Sequence, residues 1–152
     1  MGSCSFYNKY IKKKSVICYI NLLDVANDKE SIKNEIFSKL LTELDTDKLL
    51  FSDINSLVNL FKDKYEIALK QELNGFDSTS ETFIIKRNEL IKKYKKDYMY
   101  CLTRLATHLR SKRKAIIINI DNTDQFDQSL QDYCFSFANE LSKIISGIFD
   151  EY

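Results

Sequence analysis

Proline is absent from the 152 residues, and glycine occurs only three times. Both residues favour turns and interrupt helices, so their scarcity, with the abundance of Lys, Leu, Ile and Asn, leans the chain toward helix. Histidine occurs once, and the four cysteines (Cys4, Cys18, Cys101, Cys134) are widely spaced with no CxxC pair. That composition leaves almost no basis for a bound transition metal. Cys18 and Cys134 fall inside apolar patterns, where a free thiol behaves as a small hydrophobe, and a reducing cytoplasm is the expected compartment. No apolar run approaches the roughly 20 residues of a membrane span, and no secretory leader is read ahead of the first strand. "MGSCSF" sets Gly2 and Cys4 where dual acylation would use them, but Phe6 stands where myristoylation asks for Ser or Thr. Charge of one sign is lacking too: 23 basic against 22 acidic side chains give a net charge of +1. General attraction to polyanions is therefore not expected, and no nucleic-acid module is recognised. The basic runs at 12–14, 92–96 and 110–114 read as solvated helix faces and strand edges.

What is present is one domain's worth of chain with 44% hydrophobic residues, enough for a real core. "VICYINL" (16–22) and "IIINI" (116–120) are continuous apolar runs rich in β-branched residues. Such runs predict strands covered on both faces, as in a parallel sheet, at about 15–22 and 114–120. A largely helical insert, about 28–110, separates them. Asp28 can cap a helix carrying Ile32, Ile36, Leu40 and Leu44 on one stripe. Ser52 opens a second helix through Ile54, Leu57, Val58, Phe61, Tyr65 and Leu69, stopped by Asn74-Gly75. "STSETF" offers a capping box from Ser78 to Glu81, ahead of one long helix with Leu90, Tyr94, Tyr98, Cys101, Leu105 and Leu109 in its stripe. After the second strand, Leu130, Cys134, Phe137, Leu141, Ile144 and Ile148 predict a helix over roughly 127–146, capped by Asp124 or Asp127. No internal repeat or low-complexity linker is visible. Two strands with two apolar faces each do not make a self-sufficient sheet, so the fold class is α/β and the expected architecture is part of a larger one.

The stretch "KAIIINIDNTDQFDQ" (114–128) carries the chemistry. Ligands of open parallel sheets gather beyond the carboxyl ends of the strands, and Asp121 sits there, placed to hold a hydrated Mg²⁺. The apolar run ending in Asp121 resembles the Walker B pattern of P-loop nucleotidases. The next residues sharpen the likeness. Asp121, Asn122, Asp124 and Gln125 match the Asp-Asn-x-Asp-Gln sequence of STAND- and KAP-type ATPases, where it also leads into an amphipathic helix. This resemblance is specific over about thirty residues, and "SVICYINLLDV" resembles that family's second strand, ending in Asp24. It implies a partial P-loop NTPase-like core. Asp121 would hold Mg²⁺ of Mg-ATP through water, and Asp124 would orient or deprotonate the attacking water, with Asn122 and Gln125 polarising it. Asp121, Asp124 and Asp127 would repel one another unless a cation relieved them, and Asp127 reads first as a helix cap.

No GxxxxGK[ST] loop occurs in the chain. Its counterpart in the resemblance is "GSCSFYNKYIKK" at 2–13, where Gly2 keeps the glycine, Ser3 replaces the lysine, and Cys4 and Ser5 stand for the hydroxyl residues. Without that lysine and the loop amides, little or no ATP hydrolysis is expected from this chain alone. The strand that carries a sensor residue in such ATPases is not found after the final helix. The resemblance therefore implies a fragment or remnant of an ATPase core, whose missing remainder or a protein partner completes it. Arg104, Arg110 and Arg113 precede the second strand as solvated side chains or as an arginine finger in trans. His108 reads as a helix-surface residue. The alternative to the nucleotidase is a non-catalytic helical interaction module that keeps the strands for stability. Nucleic-acid binding through 92–96 and 110–114 is a weaker third reading.

Overall fold

The computed structural model describes residues 15–146, so the expectations placed on Gly2, Ser3, Cys4 and Ser5 lie outside the described residues. Two strands, β1 (Ser15–Asn21) and β2 (Ala115–Asp121), pair in parallel, in register from Ser15 opposite Ala115 to Asn21 opposite Asp121. Between them run α1 (Lys29–Leu44), a 3₁₀ turn (Leu49–Phe51), α2 (Ile54–Leu60), α3 (Lys62–Lys70), α4 (Glu81–Lys96) and α5 (Tyr98–Ser111). A second 3₁₀ turn (Thr123–Gln125) and α6 (Gln128–Ser146) follow β2. The class is mixed α/β and mostly helical, with the expected order of strand, helices, strand, helix.

One expectation about the sheet is corrected. Only one of its faces is covered among the described residues: Val16, Cys18 and Ile20 are buried, with Ile116, Ile118 and Ile120 half-buried beside them. On the other face Ile17 and Ile117 stay 48% and 45% exposed, and Tyr19 49%. The continuous apolar runs reflect two apolar faces, as read, but α1 and the rest of the helical layer pack against only one of them. Within that layer α1 buries Ile32, Ile36, Leu40 and Leu44 as its spacing requires, and Asp28 caps it by accepting the Ser31 N–H at 2.8 Å.

The two long helical stripes each fold as two helices. Asp97 ends α4, its N–H bonding to the Tyr94 carbonyl, and begins α5 by accepting the Tyr100 N–H at 3.2 Å. The apolar period runs on through the break because Tyr94, Cys101, Leu105 and Leu109 all reach the same core. Phe61 separates α2 from α3 in the same manner, its ring buried between Tyr94 at 5.7 Å and Tyr100 at 5.5 Å between centroids. Caps also shift. Asp53 rather than Ser52 caps α2, because the Ser52 hydroxyl donates back to the Leu49 carbonyl. Ser80 rather than Ser78 caps α4, because Asp77 folds the preceding residues into a turn by accepting the Thr79 N–H and hydroxyl. The helix expected to reach Asn74-Gly75 stops at Lys70, and Gly75 lies in the turns beyond it at φ +85. A small second core of Ala68, Leu73 and Phe83 closes this end of the molecule.

Candidate functional site at the carboxyl end of the sheet

The parallel register sets Asn21 beside Asp121 at the end of the strands. A side-chain bond then ties Asn21 to Asn122, the residue after Asp121. The Asn122 amide donates to Asn21 Oδ1 at 2.6 Å, and Asn21 Oδ1 also accepts the Leu23 N–H at 3.0 Å. Asn122 takes the left-handed conformation at φ 64, which Asn tolerates well, and this reverses the chain into the Thr123–Gln125 turn. Phe126 anchors the turn at 3% exposure. Asp127 then caps α6, its Oδ1 accepting the Leu130 N–H at 2.9 Å. Of the two caps left open by the sequence, this one is formed, and it turns Asp127 toward the helix rather than into a carboxylate cluster.

Asp121 is exposed on the uncovered face of the sheet. Its two oxygens accept the Tyr19 hydroxyl at 2.6 Å and the Asn122 N–H at 2.8 Å. These bonds, the tyrosine's first, hold the carboxyl below its ordinary range, and the same contact pushes the Tyr19 phenol up. Asp121 is therefore a fixed carboxylate with room for further donors, since a carboxylate offers about four lone-pair sites. Tyr19 is the contributor the sequence reading missed. The signal was available: Tyr19 lies two residues before the strand end, on the same face as Asp121 once the strands are in register.

Gln125 lies beside this group, but its amide nitrogen donates to the Leu22 carbonyl, fastening the turn to the end of β1. Its side-chain oxygen and its second N–H remain for a water. Asp124 sits on the same turn and is exposed. Asp24 is exposed in the loop after β1. The structure thus brings Asp121, Asn122, Gln125 and Asn21 together, keeps Asp124 on the rim, and leaves the phosphate-loop positions outside the described residues.

A Mg²⁺ of the kind the resemblance implies uses one or two carboxylates plus substrate phosphates and several waters. The exposed, ionised Asp121 suits that role. Among the described residues no group of three or more His, Cys, Asp or Glu side chains could hold a metal by themselves. Two of the three arginines weighed as fingers, Arg104 and Arg110, are engaged elsewhere. Arg104 donates to the Leu60 carbonyl at 2.7 Å, and Arg110 binds the Ile145 carbonyl and the Thr107 hydroxyl. The His108 ring pairs with Asp47 at 2.8 Å. Cys18, Cys101 and Cys134 are buried free thiols. No helix among the described residues is long and apolar enough to cross a membrane. No protein-family model, curated protein or solved structure matches the chain.

Proposed function

We propose that this chain is the Walker B half of a Mg-nucleotide-binding core of the STAND/KAP kind, binding ATP weakly and hydrolysing little or none by itself. One observation carries the reading: an ionised, exposed Asp121 at the carboxyl end of a strand that pairs in parallel with its neighbour, followed directly by Asn122, Asp124 and Gln125. Bound Mg²⁺ would supply charge neutralisation on the β- and γ-phosphates. Asp121 would hold that ion through water, oriented by Tyr19, while Asp124 would position a water. Gln125 would contribute its oxygen and keep the turn in place. In the sequence resemblance Gly2, Ser3, Cys4 and Ser5 take the place of the phosphate-loop residues without the lysine, which is why the proposed binding is weak. ATP and Mg²⁺ are the proposed ligands, and the remainder of the core or a protein partner is the proposed complement. A cytoplasmic location fits the free thiols.

Isothermal titration of the full chain with Mg-ATP tests this. A dissociation constant between about 10 µM and about 1 mM is expected, weakened at least about fivefold by Asp121→Asn. Binding indifferent to Asp121→Asn, or no heat up to about 1 mM nucleotide, sinks the proposal.

The second reading, a non-catalytic interaction module, is favoured by the uncovered apolar face of Ile17, Tyr19 and Ile117. It predicts that Asp121→Asn changes no binding property while Ile17→Lys does.

A further inference from the structure

Beyond the nucleotide reading, and independent of it, the outer edge of β2 has a property of its own. The Leu22 N–H bonds to the Asp121 carbonyl, so the odd-numbered residues of β2 aim their backbone groups at β1. In a parallel pair, alternate residues face alternate edges, and Ile116, Ile118 and Ile120 therefore present N–H and C=O groups outward. No strand pairs with this edge among the described residues. A groove of about 590 Å³ runs along it, lined by Ile116, Ile118, Phe135, Ala138, Ser142 and Ile145.

Charge and symmetry specify what fits there. The strand is basic where it starts, at Arg113 and Lys114, and acidic where it ends, at Asp121 and Asp124. A second copy laid parallel would bring like charges together; laid antiparallel it brings each basic end to an acidic one. Centred on Ile118, the antiparallel register sets Ile118 against its own counterpart and Ile116 against Ile120 of the second copy. Each outward N–H and C=O of the three isoleucines then finds a partner. All three side chains stay on the helix-covered face, and Ile117 meets Asn119. Along α6, Phe135, Ala138 and Ser142 form a stripe at helical spacing that faces the groove, with Phe135 65% exposed. The small Ala138 and Ser142 let the two α6 helices approach across the seam.

We infer that the chain forms a two-fold symmetric homodimer in which the outer edges of β2 pair antiparallel, joining the sheets of the two copies. Such a contact is isologous and closes at two chains. It also removes an exposed edge of the sort that otherwise recruits strands indiscriminately.

Sedimentation velocity of the full chain, without nucleotide, from about 1 to about 100 µM is the test. A monomer–dimer equilibrium is expected in that range. Reversing the basic end (Arg113→Glu with Lys114→Glu) should weaken dimerisation at least about tenfold, and adding Asp121→Lys and Asp124→Lys to the same chain should restore most of it. Phe135→Asp, at an exposed position where folding is not at stake, should weaken it comparably. Circular dichroism confirms that each variant keeps its helices. A monomer at every concentration, a mass growing beyond the dimer, or a dimer indifferent to both Phe135→Asp and the reversal overturns the inference. A monomer whose Ile118 amide still resists exchange would assign the edge to another segment of the same chain, and overturns it too.

Discussion

Replacing Asp45 by alanine should cost this protein more stability than removing any other single carboxylate. Asp45 is the buried charged residue of the described chain, 3% exposed, at the end of α1. Its oxygens accept the Leu49 N–H at 2.6 Å and the Leu50 N–H at 3.0 Å, and its carbonyl accepts the Lys48 N–H. These bonds wind the 3₁₀ turn that redirects the chain from α1 to α2, with Lys48 at φ 56. Hydrogen bonds to a charged acceptor contribute about 1.5–3 kcal/mol each, and half-burial of the two amides takes the lower figure, so alanine should cost about 3 kcal/mol. Asparagine keeps one acceptor oxygen and turns an amide nitrogen toward the other N–H, so about half that loss is expected. Urea unfolding followed by circular dichroism reads both, and Tm should fall by about 6–12 °C for alanine in a chain of this size. An Asp45→Ala protein within about 0.5 kcal/mol of the parent would refute the capping argument, as would an asparagine variant no more stable than the alanine one.

Three further outcomes follow from particular contacts. Lys112 and then His108 hold the Asp47 carboxyl down, from an ordinary 3.8 to about 2, so the pair stabilises the fold above about pH 4 and loses that contribution as pH falls toward 2. Because the Asp47 side chain is 39% exposed, the gain is at most about 1 kcal/mol, and Asp47→Asn should flatten the stability profile in that window while leaving it unchanged below it. Leu105→Ala empties a fully buried position in the main core, and unfolding free energy should drop by about 2–5 kcal/mol. Burial pushes the Cys18 thiol up to about 12 and the Cys101 thiol up to about 11, so peptide mapping after thiol labelling at pH 8 should find both unreacted until urea is added; rapid native labelling of either contradicts the packing.

Much of the fold was legible because it depends on local periodicity. The two strands fall within a residue of the expected boundaries, and α1 and α6 emerge from stripes and caps that need no distant partner. The breaks at Phe61 and Asp97 were not legible, for a stripe continues across a bend whenever the side chains on both arms reach one core. Part of the candidate site was equally local: Asp121, Asn122 and Gln125 stand together because they follow one another around a left-handed turn. Tyr19 was missed because its contact with Asp121 spans 102 residues and exists only in the parallel register.

By itself the sequence determined that this chain is an α/β arrangement of two apolar strands around a helical insert, with an acidic tip on the second strand. Patterning dictates this, since side-chain period and capping act over a few residues. Only the tertiary structure decided which face of the sheet is covered and which edge of β2 is unpaired among the described residues, and what holds Asp121 in its charged form. Those outcomes depend on how many helices lie on each side and on which residues the register sets opposite one another, and neither is written in any short stretch of the chain.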